Sequence, residues 1–469
     1  MGMIKRYPAG EVLILFAIWG ILFIFFYSLN AGITCTNDGS HFALTKSLTE
    51  NGTAALTSNA LIAAHDSAIY KGRRFSDRNP GLALIAYVFA KALTPLRSYF
   101  TSMEMDPYYM TRGGGSNILL ATVMLIPPLC GSLLFLVLYR IFRQFAVNGL
   151  LALPASLILV LSSLTLRYST VLYSHILATA LVAAGYLMLV LLYDTHRLRF
   201  LFWGHLLLAT AVVVEHPTLL IYLAAIAFVL LTSRAALLSR RGIAAAIVSG
   251  AIPVIPFLTY NYVNFGNPFS IAQFHQAAYD YFQNPLDIFS ISRFPLMAKQ
   301  VLFYDRGFVS LLTSSPCYLL VPLAAIPFAR KAIAWNGKYS LALVALVLSI
   351  LPATTFSGDS GYDYDHRQML FGLPFLMLFL VVFVNYLYSR FKGIRDPRSI
   401  VVTLILLALV FRGWTVHFAH IRHAEQFVFK TPFINAAAAL HNTLPMIVVG
   451  AIVAGWVAFK RSTRAKVLP

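Results

Sequence analysis

Three short stretches of this chain hold most of the side chains able to do chemistry. The first, Thr36-Asn37-Asp38-Gly39-Ser40-His41-Phe42, places a carboxylate just beyond an apolar run. A carboxylate at a membrane surface can act as general base toward an acceptor hydroxyl. An Asp ahead of a helical run serves equally well as a helix N-cap. The second stretch, residues 70–81, sets Lys71, Arg73, Arg74 and Arg78 immediately before an apolar helix. Such cations can hold a phosphate at headgroup depth, or simply snorkel toward anionic lipid. The third, residues 357–367, gathers Asp359, Asp363, Asp365, His366 and Arg367. There Arg367 stands at the mouth of an apolar span, where a guanidinium could clamp a leaving phosphate. Its acids and histidine could instead form a divalent-metal site, but they match no standard ligand spacing, so a metal is not indicated and no other cofactor is expected. His175 and the pair Glu215 and His216 sit near span ends, where a histidine is more often a hydrogen-bonded packing residue than a catalyst.

The elements that must position these residues are set by composition. Of 469 residues, 59% are hydrophobic and 11% charged, with a mean hydropathy of +0.74. Soluble chains carry about a quarter charged residues, so a water-soluble core is excluded. Apolar runs of membrane-spanning length recur from end to end. They predict spans at 11–29, 117–139, 150–166, 174–193, 201–214, 218–233, 243–260, 309–327, 340–356, 369–388, 399–414 and 444–460. The expectation is an all-α polytopic membrane protein of about twelve transmembrane helices, with an uncleaved first span and a long first extracytoplasmic loop, residues 30–116. Within that loop, residues 40–50 and 81–96 read as helices, the second lying in the outer interface.

Charge sets the orientation. Twenty of the 36 Lys and Arg fall in one set of loops; of the other sixteen, eight lie in the long first loop. Long loops translocate largely regardless of charge, so the comparison that matters is twenty against eight. Both termini are therefore expected in the cytosol. Nearly all of the seventeen Asp and Glu lie on the opposite, extracytoplasmic side. The net charge of +19 is spread in short clusters between spans, which points to membrane lipids and away from nucleic acid. Three cysteines, Cys35, Cys130 and Cys317, imply neither a disulfide scaffold nor zinc.

Taken in order, these segments resemble the GT-C glycosyltransferases, specifically the superfamily of protein O-mannosyltransferases and lipid A aminoarabinose transferases. The resemblance rests on the acidic motif and short helix of residues 37–52, and on the Gly-x-x-Phe to Pro-Gly stretch leading into residues 72–96. It continues through Tyr260-Asn261 to Phe265-Gly266-Asn267-Pro268-Phe269, then Arg306-Gly307-Phe308 and Ser315-Pro316, and Tyr364-Asp365-His366-Arg367 ahead of Gly372-Leu373-Pro374-Phe375. It covers the chain to about residue 390. That implies a catalytic region over 1–390, with C-terminal transmembrane helices over 391–469.

The resemblance further implies an inverting hexosyl- or pentosyltransferase of a bacterial-type cytoplasmic membrane. Its donor would be a polyprenyl-phosphate-linked sugar and its acceptor a hydroxyl on a glycan, lipid or protein. Asp38 would be the base, and Lys71, Arg73, Arg74, Arg78, Arg306, Asp365, His366 and Arg367 would line the substrate site. One departure stands out. Many members carry a second Asp near the start of the fourth span, where this chain reads Tyr173-Ser174-His175, so that role passes to His175 or to nothing. A polytopic transporter or lipid-linked glycan flippase is the rival reading. It would call for internal repeats and ionisable groups at mid-bilayer, whereas here the ionisable groups gather at the outer mouth.

Overall fold

Backbone polar groups crossing lipid must be satisfied within their own segment, so apolar runs of this length become helices. The computed structural model describes residues 8–93 (save 31, 32, 34, 58, 59 and 64), 119, 123–276, 311–321, 336–355, 367–391 and 396–424, with isolated positions between 292 and 328. The chain opens with α1, Ala9–Ser28, and α2, Thr36–Asn51. A two-stranded hairpin follows, β1 Ser67–Tyr70 and β2 Arg73–Ser76, and then α3, Pro80–Leu93. The bundle continues with α4 Ile126–Gln144, α5 Gly149–Leu161, the short α6 Leu164–Tyr168 and α7 Ser174–Thr195. Next come α8 Leu198–Val214, α9 Leu219–Thr232 and α10 Arg240–Phe265. Further on are α11 Gly337–Thr355, α12 Leu373–Arg390 and α13 Pro397–Ala424.

Among the described residues, six helices are long and apolar enough to cross a membrane: α1, α4, α7, α10, the stretch Met369–Arg390 ending in α12, and Ile400–His417 of α13. The chain is thus an integral membrane protein built of helices. Of the twelve expected spans, ten coincide with described helices. The span at 309–327 is described in part, as Leu311–Ser314 and Pro316–Leu320, and that at 444–460 lies outside the described residues. In the second span, α4 begins at Ile126 after the turn at 124–125; ahead of it residues 119 and 123 are helical, and the rest of 117–122 lies outside the described residues. One boundary moves. The third span breaks at Ser162, because Ser163 adopts an extended backbone and caps a new helix by accepting from the Thr165 N–H at 3.3 Å.

Helices α4, α7 and α12 are mostly buried, whereas α1, α10 and α13 are mostly exposed and present apolar faces outward. The buried trio is therefore the centre of the bundle, with α7 packed on both α4 and α8, and α8 on α10. The first loop sits on this frame. Helix α2 packs on α3, and α3 on the end of α8. The contact is close: a Cβ placed on Gly81 would lie 2.7 Å from the Val213 carbonyl oxygen. Only glycine lets the two backbones approach so far.

The hairpin has no counterpart in the sequence reading. Its register pairs Tyr70 with Arg73 across a two-residue turn in which Lys71 and Gly72 both take positive φ, +49° and +74°. That is the mirror-image turn whose twist suits a hairpin. The usual Asn-Gly or Asp-Gly signal is replaced here by Lys-Gly.

Candidate active site

The site is organised around the first turn of α2. Cys35 is its N-cap, with extended backbone, and Asp38 stands three residues on. The Asp38 carboxylate reaches back: its Oδ1 accepts from the Cys35 N–H at 2.8 Å and from the Gly39 N–H at 2.9 Å. Two fixed N–H donors hold the orientation of a carboxylate that has no exposure to solvent. Asp38 therefore helps satisfy the helix end, though from inside the first turn and not from the cap position. The Cys35 thiol lies 2.8 Å from the Tyr173 hydroxyl. Burial, with Asp38 beside it, pushes that thiol up to about 11, so it stays protonated. On the Tyr173 ring, 5.9 Å from its centre, rests the guanidinium of Arg367. Asp38 and Arg367 are thus linked through Cys35, whose backbone N–H meets the carboxylate, and through Tyr173, which meets the Cys35 thiol and the guanidinium.

A second chain of contacts ties α2 to the hairpin and the residues after it. The Thr36 hydroxyl donates to Asp66 Oδ2 at 2.8 Å. Ser40 Oγ donates to the Asp66 carbonyl at 2.6 Å and lies 2.8 Å from Ser76 Oγ. Arg78 sits between two carboxylates, 2.6 Å from Asp66 Oδ2 and 3.3 Å from Asp77 Oδ1. The nearer contact decides how the charge is shared. Beside Arg78 and the Thr36 hydroxyl, Asp66 is held below its usual carboxylate range, against the effect of burial. Asp77 is buried more completely and pushed up to about 6. The two aspartates in turn hold the Arg78 guanidinium firmly charged, despite its own burial.

At the start of α7 the departure noted in the sequence finds a spatial answer. The Ser174 hydroxyl donates to Glu215 Oε1, and the same oxygen lies 3.6 Å from His175 Nδ1. The His175 ring stacks on Phe371, with centroids 5.8 Å apart. A carboxylate therefore does stand at the beginning of this span. It comes from the turn between α8 and α9, forty residues downstream, where no local spacing could reveal it. Burial raises the Glu215 carboxyl, an effect the Ser174 hydroxyl, Arg367 and Arg78 partly offset. That Arg367 and Arg78 both act on Glu215 and on the buried His41 places all of these groups in one neighbourhood.

Of the expected site residues, Asp38, Arg78, His175 and Arg367 converge here. Lys71, Arg73 and Arg74 do not. All three are exposed on the hairpin, with Lys71 over the Tyr70 ring at 5.3 Å and Arg73 over Phe75 at 5.5 Å. Their strand ends at a wall of rings, where Phe265 contacts Tyr70, Phe75 and His275. Arg306, Asp365 and His366 lie outside the described residues. Among the described residues no cluster of three His, Cys, Asp or Glu side chains is arranged to hold a metal ion.

No family model matches the sequence, and no curated protein matches it. Solved structures do match. The Archaeoglobus fulgidus oligosaccharyltransferase in its apo form superposes with a TM-score of 0.56 at 11% identity, over 89% of this chain and 57% of that one. ArnT from Cupriavidus metallidurans, also apo, gives a TM-score of 0.52 at 13% identity, over 96% of this chain and 72% of that one. This is the GT-C fold. A further structure of that GT-C frame, archaeal AglB with an inhibitory peptide and a dolichol-phosphate, matches at a TM-score of 0.52 and 11% identity, over 93% of this chain and 59% of that one. The present chain spans a little over half the length of the archaeal enzyme. At such identities the likeness is one of GT-C chain path.

Proposed function

We propose that this protein is a membrane glycosyltransferase that moves a sugar from a polyprenyl-phosphate donor to an acceptor hydroxyl on the extracytoplasmic face. The observation that carries the reading is the link between Asp38 and Arg367 through Cys35 and Tyr173, on a GT-C frame. The apolar outer faces of α1 and α10 offer a prenyl chain a place in lipid beside the bundle. Archaeal AglB, which shares the chain path, has been solved in complex with a dolichol-phosphate, a lipid of the same chemical class as the donor carrier proposed here.

In this reading Asp38 takes the proton of the acceptor hydroxyl as its oxygen attacks the anomeric carbon. The bond from that carbon to the phosphate oxygen breaks on the opposite side, polyprenyl phosphate leaves, and the configuration inverts. Negative charge grows on the leaving phosphate, where the fixed Arg367 guanidinium offsets it most strongly in the transition state. Arg78, its charge balanced by Asp66 and Asp77, holds the loop that carries Asp38. His175 and Glu215 form the opposite wall. Lys71, Arg73 and Arg74 lie apart from this centre, as headgroup contacts of the hairpin.

The test is to incubate the purified full chain in lipid nanodiscs with undecaprenyl-phosphate sugars of several classes and follow release of undecaprenyl phosphate. One donor is turned over, and Asp38→Asn lowers the rate by about 10²–10⁴-fold, the range general-base catalysis supplies. Undiminished transfer by Asp38→Asn removes the base from the mechanism.

A further inference from the structure

Helix α2 is buried from Asn37 through Ser47 although its composition is polar. Most of its buried polar atoms have partners. Ser40 bonds Asp66 and Ser76, Thr45 bonds the His41 carbonyl, and Asp38 bonds the helix end. Two side chains differ. One end of the Asn37 amide, Oδ1, and both ring nitrogens of His41 are buried without a hydrogen-bond partner among the described residues. Asn37 is 3% exposed and His41 1%. Each unpaired buried polar atom costs roughly 1–3 kcal/mol, so a helix with no use for these groups would be steadier with leucine at both positions.

Position points to the use. Asn37 and His41 are four residues apart, one above the other on one helix face, and Asp38 flanks them. His41 lies within electrostatic reach of Arg78, Arg367 and Asp66. Burial and the two guanidinium groups lower its basicity to about 3, so the imidazole is neutral. A neutral imidazole offers one N–H and one lone pair, and the amide oxygen offers a further acceptor. Phosphate oxygens only accept, so they would leave those lone pairs repelled. Hydroxyl groups donate and accept, and match the set.

We propose that the Asn37–His41 face of α2 is the subsite for hydroxyl groups of the transferred sugar, beside the phosphate position at Arg367. The inference rests on the donor reading above and names which part of that donor α2 holds. It is tested with full-length protein in nanodiscs, measuring affinity for undecaprenyl phosphate alone and for undecaprenyl phosphate carrying a hexose, an N-acetylhexosamine or a pentose. Wild type prefers one conjugate to the bare lipid. His41→Leu loses about tenfold of that preference, keeps its affinity for the bare lipid, and has an unchanged or higher Tm. His41→Gln, which restores a donor and an acceptor, recovers part of the preference. Full retention of the preference in His41→Leu overturns the subsite while the transfer reading stands. A fall in Tm and in both affinities, shared by His41→Gln, makes the histidine structural and overturns it too. A preference seen only when free methyl glycosides are added beside the bare lipid moves these hydroxyls to the acceptor and overturns the assignment. If undecaprenyl phosphate does not bind wild type, the donor reading fails and the subsite with it.

Discussion

Arg78 faces two aspartates that differ in what they do for it. Asp66, at 2.6 Å, stays ionised and carries the pair; Asp77, raised to about 6, is the one that yields its charge. Removing Asp66 leaves a partly buried guanidinium without its main counter-ion. Asp66→Asn should therefore destabilise the protein by about 3 kcal/mol, read as a fall in Tm in detergent. Asp77→Asn resembles the protonated side chain favoured below about pH 6, so it should cost under about 1 kcal/mol near pH 4 and should not destabilise the protein at pH 7. The sign of the pH effect follows. Asp77 binds its proton more tightly folded than unfolded, so its contribution is present below the unfolded value near 4 and is lost as pH rises to about 6. That loss is at most about 3 kcal/mol. Wild type should thus lose stability across this window relative to Asp77→Asn, and parallel Tm profiles would refute the assignment. At this scale the sequence marked Asp38, Arg78, His175 and Arg367 by charge and position. It could not separate Arg78 from Lys71, Arg73 and Arg74, because that depended on an unforeseen hairpin ending just before it. Nor could it bring Glu215 to Ser174 across 41 residues.

Among the elements, the junction of the first loop with the bundle decides whether the site forms. Asn79-Pro80-Gly81 docks on the last turn of α8. The Asn79 amide donates to the Val214 carbonyl at 3.4 Å and accepts from Gln273 at 2.8 Å, while Gly81 lies against the backbone of Val213 and Val214. Glu215 follows directly, so the same contact aligns the α2–α3 unit with the far wall of the site. Backbone cannot yield as a flexible side chain does. Gly81→Ala should cost about 2 kcal/mol and lower transfer, by forcing α3 away from α8. Gly20→Ala in α1 is the control, since a Cβ there meets nothing within 4 Å. Equal Tm and activity for the two variants would show that the junction is loose. Helices were legible here because hydropathy and length suffice to call for them. The hairpin was not, because β1 and β2 are four residues each and the basic run hid the turn.

For the whole molecule the question is which side of the membrane the site faces. From the imbalance of basic residues we propose that the termini lie in the cytosol and the first loop, with Asp38, on the other side. Lys71 and Arg240 are exposed and lie in loops assigned to opposite faces, Lys71 at the hairpin tip and Arg240 at the head of α10. With Cys35, Cys130 and Cys317 replaced, single cysteines at positions 71 and 240 can be probed with a membrane-impermeant maleimide. Lys71→Cys should react in intact cells, and Arg240→Cys only once the membrane is opened. The side matters because an outward site is cut off from cytosolic sugar nucleotides, so its sugar has to arrive already attached to a lipid that crosses the bilayer. A prenyl phosphate, the carrier proposed above, would meet that demand. The reverse labelling pattern would put Asp38 and Arg367 in the cytosol, where a soluble donor is at hand and the case for a lipid-linked one loses its physical reason.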